Sequence, residues 1–345
     1  MSEFNVNLDF NTIKEIGQEG RNSKVYLSYD KQLDGEIVTK HIVKDPKATP
    51  DIYFKEARLL YANDHNNIVK VNYACQNENT VIIAMPYYKN GSLKKRISDN
   101  NFLTIREVIR YAIQFLSGLN HIHAKGLIHF DIKPDNILIS DSNEAMLSDF
   151  GLAKYVDPSG FTRNDFAYTP HVSPEQIMDM YQTTKNDIYQ VGITLYRMVN
   201  GNTLFYKQIP TEPKELANKI INGTFPNRNI YLPHVPKKLR KIINKCISPN
   251  PADRYDNVLQ IINELSQIDE NLDWRFEPTP TDDYWTKQLD RCSVKVKVSK
   301  TKDSKYNIET SKDYISRVTK DHKHSYNGIE PKDTDKKLIS IFASI

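Results

Sequence analysis

Long apolar runs are missing from this 345-residue chain. No stretch approaches the roughly 20 consecutive apolar residues that span a bilayer. The longest mostly apolar runs, such as VIIAM at 81–85, have strand length. The opening MSEFNVNLDF has neither the basic region nor the apolar region of a secretory leader. Cysteine is scarce: Cys75, Cys246 and Cys292 are far apart and odd in number, with no C-x-x-C pair. Neither a zinc site nor a disulfide framework is indicated, and a reducing compartment is expected. Strong charge of one sign is absent too, and a net +4 gives no reason to expect nucleic acid. No internal repeat is visible. The expectation left standing is a soluble, cytoplasmic protein without a membrane span.

What is present is a change of pattern along the chain. Residues 10–45 alternate apolar and polar positions around Gly and Asp-Gly punctuation (IGQEG, KQLDGE), which reads as antiparallel strands. Residues 51–64 carry helical spacing, with Asp51 as N-cap, and residues 68–88 return to strands. From about 93 the pattern is mostly helical. TIREVIRYAIQFLSGLNHIHAKG (104–126) predicts a long amphipathic helix capped by Thr104 and ended by Gly126. NDIYQVGITLYRMVNG (186–201) predicts a buried helix stopped at Gly201, and further helices are expected near 213–222, 236–247 and 255–268. Strands followed by helices indicate an α+β, two-lobed arrangement. FEPTPTDD reads as linker. Residues 276–345 then carry 14 Lys/Arg against 11 Asp/Glu, a surplus of three out of the chain's net +4. Within them CSVKVKVSK (292–300) alternates strictly, Val on one face and Lys on the other, and predicts a strand. The competing reading of this region is a disordered charged tail.

The chemistry concentrates in HFDIKPDN (129–136). Asp131 can accept a proton from an attacking hydroxyl. Lys133 can neutralise charge on a transferring phosphoryl group, and Asn136 can ligate a hard cation through its amide oxygen. SDFGLA follows at 148–153, where Asp149 is a second cation ligand, Phe150 can pack inward and Gly151 permits a sharp backbone change. Upstream, EIVTK sets Lys40 on a strand, and Glu56 in FKEARLL is the carboxylate best placed to keep a buried Lys charged.

This order resembles the eukaryotic-type serine/threonine protein kinase family: Gly-rich loop, strand Lys, helix Glu, catalytic loop, D-F-G and a closing P-E, over about residues 10–268. The resemblance implies a bilobal fold, with a β-rich N-lobe (1–85) and a mainly helical C-lobe (86–270); the shift in composition after about 270 adds an expected linker (271–285) and a small β-containing appendage (286–345). It implies transfer of the γ-phosphoryl group of ATP to protein hydroxyls with Mg²⁺, or Mn²⁺, as cofactor. By position, Asp131 takes the hydroxyl proton and Lys133 sits near the γ-phosphate. Asn136 and Asp149 hold the metal. Lys40 grips the α- and β-phosphates and pairs with Glu56. Gly17, Gly20 and Val25 form the phosphate-binding loop, although Ser23 stands where a third Gly is expected. Val38 and Leu138 sandwich adenine, Met85 is the gatekeeper, and the N–H of Tyr88 meets the base. Pro86, which lacks an N–H, falls where only a carbonyl is needed. His129 and Phe150 are structural, Glu175 pairs with Arg254, and Asp187 holds the catalytic loop.

Phe130 departs from the family's H-R-D. Where an Arg stands, it pairs with a phosphorylated activation loop. Phe cannot, so activity is expected not to depend on phosphorylation of Ser159, Thr162, Tyr168 or Thr169. In YTPHVSPE, Thr169 is expected near Asp131 and Lys133. The alternative function is a pseudokinase or nucleotide-binding scaffold, against which Lys40, Asp131 and Asp149 all stand. A protein substrate is the expected partner, and the appendage is a candidate docking module.

Overall fold

The computed structural model describes residues 8–17, 23–44, 53–98, 101–162, 169–314 and 316–345. The first part is a five-stranded antiparallel sheet in the order β1-β2-β3-β5-β4. Its strands are β1 (Phe10–Gly17), β2 (Ser23–Asp30), β3 (Gly35–Val43), β4 (Tyr73–Gln76) and β5 (Thr80–Pro86). The KQLDGE turn joins β2 to β3. Buried Asp30 organises it by accepting the Gln32 and Leu33 N–H groups at 2.8 and 2.9 Å and the Tyr73 hydroxyl at 2.7 Å. One helix, α1 (Lys55–Ala62), packs on this sheet. Its N-cap is Phe54, and the expected cap Asp51 lies outside the described residues.

The second part is helical: α2 (Leu93–Arg96), α3 (Ile105–Ala124), α4 (Pro174–Ile177), α5 (Thr184–Asn200), α6 (Asn202–Tyr206), α7 (Pro213–Ile221), α8 (Lys237–Cys246) and α9 (Val258–Ser266). Four short strands, β6 (Leu127–Ile128), β7 (Ile137–Ile139), β8 (Ala145–Leu147) and β9 (Lys154–Tyr155), pair as β6 with β9 and β7 with β8. Helix α3 starts as the sequence predicts, with a reciprocal capping box between Thr104 and Glu107. Helix α5 is buried from Asn186 to Asn200. Gly192 lets it lie against α8, because a Cβ there would sit 2.6 Å from the Cβ of Cys246. All four helices expected after residue 186 form, within a few residues of their expected bounds.

The sequence reading of the C-terminal region needs correction at its start. Residues 271–285, read as a linker, instead carry β10 (Arg275–Pro278) and the first half of β11 (Asp282–Gln288), antiparallel partners from Arg275↔Thr286 to Pro278↔Asp283. Of the Pro and Asp residues that suggested a linker, Pro278, Asp282 and Asp283 lie in the strands and only Pro280 in the hairpin tip, where Thr279 caps the turn by bonding Asp282. The sheet continues through β12 (Ser293–Lys300), β13 (Tyr306–Tyr314), β14 (Arg317–Lys320) and β15 (Tyr326–Ile329), and α10 (Pro331–Ser344) closes it. The disordered-tail reading therefore fails. Val294, Val296 and Val298 face inward against Leu338, Ile341 and Phe342, with Trp274, Phe276 and Trp285 completing a second core. These groups bury enough apolar surface to order a small domain, where a linear composition count saw only charge.

This domain is seated on the helical part. Trp285 Nε1 donates to His234 Nδ1 at 3.0 Å in a buried setting, and Phe276 meets Phe102 edge-on with centroids 4.7 Å apart. On the rim, Arg106 forks onto Asp273 at 2.6 and 2.8 Å, and Arg275 reaches Glu107 at 3.0 Å. No helix of the described residues is long and apolar enough to cross a membrane.

Candidate active site

The site is built from the seam between the five-stranded sheet and the helical part. Strand β3 places Lys40 opposite Val25 on β2 and Ile83 on β5. Its ammonium bonds both Glu56 oxygens of α1 at 2.8 Å and Asp149 at 3.1 Å. Burial alone would depress this ammonium, but Asp149 and Glu56 outweigh it and hold the group above its usual range. Burial pushes the Glu56 carboxyl up, with Lys40 pulling it back. Asp149 is the more open carboxylate, its side chain 42 % exposed. Lys40 draws its pKa down to about 2, so it stays ionised.

The catalytic-loop backbone hangs from α5. Buried Asp187 accepts the N–H of His129 and of Phe130, each at 2.8 Å, and His123 contacts the same carboxylate at 2.8 Å. Gln190, one turn on, accepts from Ile132 N–H at 2.9 Å and donates to Phe130 O at 2.8 Å. This grip holds Phe130 at φ +68°, a left-handed conformation rare for a bulky residue. Asp149 has φ +60°. Two such residues among the chemical groups mark stored backbone strain, which survives only where the surroundings over-determine it.

His129 is fully buried, and its bonds fix its tautomer. Nε2 faces the Ser148 carbonyl at 3.0 Å and must donate, while Nδ1 accepts from Asp131 N–H at 3.2 Å. The ring is therefore neutral, in keeping with the downward pull of burial on its pKa. It also meets Phe150 edge-on at 4.9 Å, and Phe150 is buried beneath the cleft. Asp131 receives Lys133 Nζ at 2.9 Å and Asn136 Nδ2 at 2.8 Å on the same oxygen. Burial raises its pKa and Lys133 offsets part of the rise. The Asn136 amide nitrogen is thus committed to Asp131, which leaves its oxygen as the atom available to a cation. Two oxygen ligands suit a hard cation that takes its remaining ligands from phosphate and water. No cluster of three or more His, Cys, Asp or Glu that could hold a metal occurs among the described residues.

Other predicted residues fall as follows. Glu175 and Arg254 form a buried two-pronged pair at 2.7 and 2.8 Å. Val38 pairs across the sheet with Met85. Leu138 sits half-buried mid-strand on β7, bridged to Ser92. The Tyr88 carbonyl accepts from Gly91 N–H at 3.0 Å. Gly17 has a packing reason of its own, since a Cβ there would lie 2.8 Å from that of Val25. Gly20, Tyr168 and the side chain of Thr169 lie outside the described residues. In the place expected for a Thr169 contact, His171 meets the Ile132 carbonyl at 3.0 Å and accepts from Arg197 at 2.9 Å. Gln190, His171 and Arg197 were not picked out from sequence. Their only signal is polarity inside a helix or turn that tertiary contacts bury. An open depression of about 540 Å³ lies behind the end of β5, lined by Tyr29, Ile37, Asn72, Pro86 and Tyr87, apart from these groups.

Residues 10–265 match the family model for the protein kinase domain. The chain is 32 % identical over 263 residues to a probable serine/threonine-protein kinase of Clostridium acetobutylicum, covering 75 % of this chain and 39 % of that protein. It is 29 % identical over 253 residues to the serine/threonine-protein kinase PrkC of Bacillus subtilis, covering 72 % and 38 %. With the serine/threonine-protein kinase PknL of Mycobacterium tuberculosis it shares 27 % over 260 residues, covering 73 % and 64 %. The matched stretch therefore spans less than two thirds of each of these relatives.

Proposed function

Given that the chain belongs to the protein kinase domain family, we propose that it is an active serine/threonine protein kinase that moves the γ-phosphoryl group of ATP to hydroxyls of a protein substrate. One observation carries this: Lys40, Asp131, Asn136 and Asp149, drawn from three separate stretches of the chain, gather at one end of the interlobe cleft, with Lys40 paired to Asp149 and Glu56 and Asp131 bonded by Asn136. A pseudokinase needs none of them maintained in this state.

The residue roles are those the family resemblance implies, and the geometry is compatible with them. Asp131 faces the incoming hydroxyl and takes its proton as the oxygen attacks phosphorus. Lys133, already on Asp131, neutralises the transferring group. Lys40, positioned by Glu56, binds the α- and β-phosphates. Asn136 and Asp149 would hold Mg²⁺, whose charge would be available to offset that of the phosphate oxygens. Gly17, Val25, Val38, Met85, Tyr88 and Leu138 enclose the nucleotide. Phe130 puts no cation against the activation segment, so phosphatase treatment is expected to leave activity within about twofold. The seated C-terminal domain is assigned a docking role toward a protein partner, and a reducing, cytoplasmic setting suits the three free thiols.

The test is transfer from labelled ATP to a generic protein acceptor, wild type beside Asp131→Asn. Loss of general-base function costs on the order of 10²–10⁴ in rate. Equal transfer by the two proteins, or none by either, would remove the proposal.

A further inference from the structure

Four residues after the proton acceptor stands a carboxylate that contributes almost no negative charge to the cleft. Asp135 follows Pro134 in the catalytic turn, and its side chain is only 10 % exposed. Lys94 of α2 lies 2.6 Å from one of its oxygens and the buried Arg197 of α5 lies 3.7 Å from the other. Beside Lys94, helix α2 continues with exposed Lys95 and half-buried Arg96. No ion pair engages Lys95 or Arg96 among the described residues. Around this corner Lys94, Lys95 and Arg96 of α2 and the buried Arg197 of α5 stand against Asp135, while Lys133 and Asp131 balance each other.

The backbone that carries the α2 cations is anchored at its end. Asn202 donates its N–H to Ile97 O at 3.0 Å and its side-chain amide to Ser98 Oγ at 3.0 Å, fixing the end of α2. The Asn202 amide oxygen accepts from Arg197 Nε at 2.9 Å. Arg197 in turn bonds His171, whose other nitrogen donates to Ile132 O in the catalytic loop. One polar network thus ties the end of α2 to the catalytic loop beside Asp131. Prearranged charge of one sign at the mouth of a cleft favours a partner of the other sign.

We infer that the acceptor is a Ser or Thr flanked by acidic residues, which dock on Lys95 and Arg96 of α2. This rests on the kinase reading above and adds the substrate class to it. The experiment compares kcat/KM for Ser/Thr peptides differing only in flanks, all Glu or all Lys on either side of the acceptor, using the full chain with Mg²⁺ and ATP. Glu-flanked peptides should be preferred by about tenfold at low salt, with the gap narrowing as salt screens it. The double variant Lys95→Glu/Arg96→Glu should abolish or invert the preference while leaving KM for ATP unchanged within about twofold. Equal or better use of Lys-flanked peptides by the wild type would overturn the inference. So would a preference untouched by the double variant, or transfer confined to a generic basic protein. Those outcomes leave the kinase reading intact. Both readings fall if wild type and Asp131→Asn transfer equally, or if neither transfers to any acceptor.

Discussion

Two antiparallel sheets in this chain treat charge in opposite ways. The C-terminal sheet alternates without interruption along β12: every Val faces α10 and every Lys faces outward, each in unbroken register with β11 and β13. Outside, Lys297 meets Asp282 at 3.4 Å and Lys295 lies 4.2 Å over the Tyr284 ring, so the predicted Lys face is largely answered within its own sheet. The N-terminal sheet turns a lysine inward. Lys40 lies among buried strands, its side chain 13 % exposed, between two carboxylates, and β1 slips register twice against β2 as it approaches Gly17. A regular sheet with its charges outside needs only packing to explain it. A sheet with a buried charge trio and register shifts carries a cost in stability that packing does not explain, and the family's chemistry does.

The sharpest way to test this contrast is Lys40→Met. Phosphoryl transfer should fall by at least 10², because electrostatic positioning of the phosphates goes with it. Removing one member of a buried pair should also cost about 3 kcal/mol, as Glu56 is left unanswered. Adding Glu56→Leu should then recover most of the stability and none of the activity. Near wild-type transfer by Lys40→Met, with the loss appearing only in urea unfolding, would mean that the trio is structural.

The opposite sheet should respond only in stability. Phe342→Ala removes a ring that touches Trp274, Trp285 and His234 in the second core, and should cost about 3–4 kcal/mol. The seam is continuous with the helical part through Trp285 and His234. One unfolding transition is therefore expected to shift for the whole chain, with kcat per folded molecule unchanged. A separate early transition confined to the C-terminal domain would show that the seam couples the two parts weakly.

Much of the first region was legible in sequence, and the second was not, for a physical reason. Lys40, Glu56, Asp131, Asn136 and Asp149 sit in short motifs whose residue types are dictated by chemistry, and Thr104 and Gly201 announce helix ends by local backbone needs. The hairpin at 275–288 hides its signal. Trp274, Phe276 and Trp285 are three apolar residues among Pro, Thr and Asp, and their worth appears only when α10, some 50 residues later, closes over them. His171, Gln190 and Arg197 were illegible for the same reason, since each acts across 26 to 60 residues of chain.

His234 ties stability to pH at the seam. It is fully buried, accepts from Trp285, and burial lowers its pKa to about 3. In the unfolded chain its pKa is near the ordinary 6.5. Its contribution is thus fully present above about pH 6.5 and is lost as pH falls toward 3, because the unfolded state takes up a proton that the folded state refuses. Between pH 6.5 and 5 this one group should remove about 2 kcal/mol. Trp285→Phe breaks the bond without freeing the ring from burial. The variant should start less stable yet show the same slope of Tm against pH, whereas His234→Gln should flatten it.

The smallest effect belongs to the most conspicuous contact. Arg106 and Asp273 form a two-pronged pair at the rim of the seam, at 2.6 and 2.8 Å, and Asp273 is drawn below the usual carboxylate range by the guanidinium. The Arg106 side chain is nevertheless 60 % exposed, so water and salt screen most of the attraction. Arg106→Ala should cost only about 0.5 kcal/mol, less in 0.5 M salt, and should leave transfer unaltered. Were it instead to cost as much as Phe342→Ala, the seam would be held by its charged rim. The division between a sheet that spends charge on chemistry and a sheet that relies on packing would then fail at the point where the two parts meet.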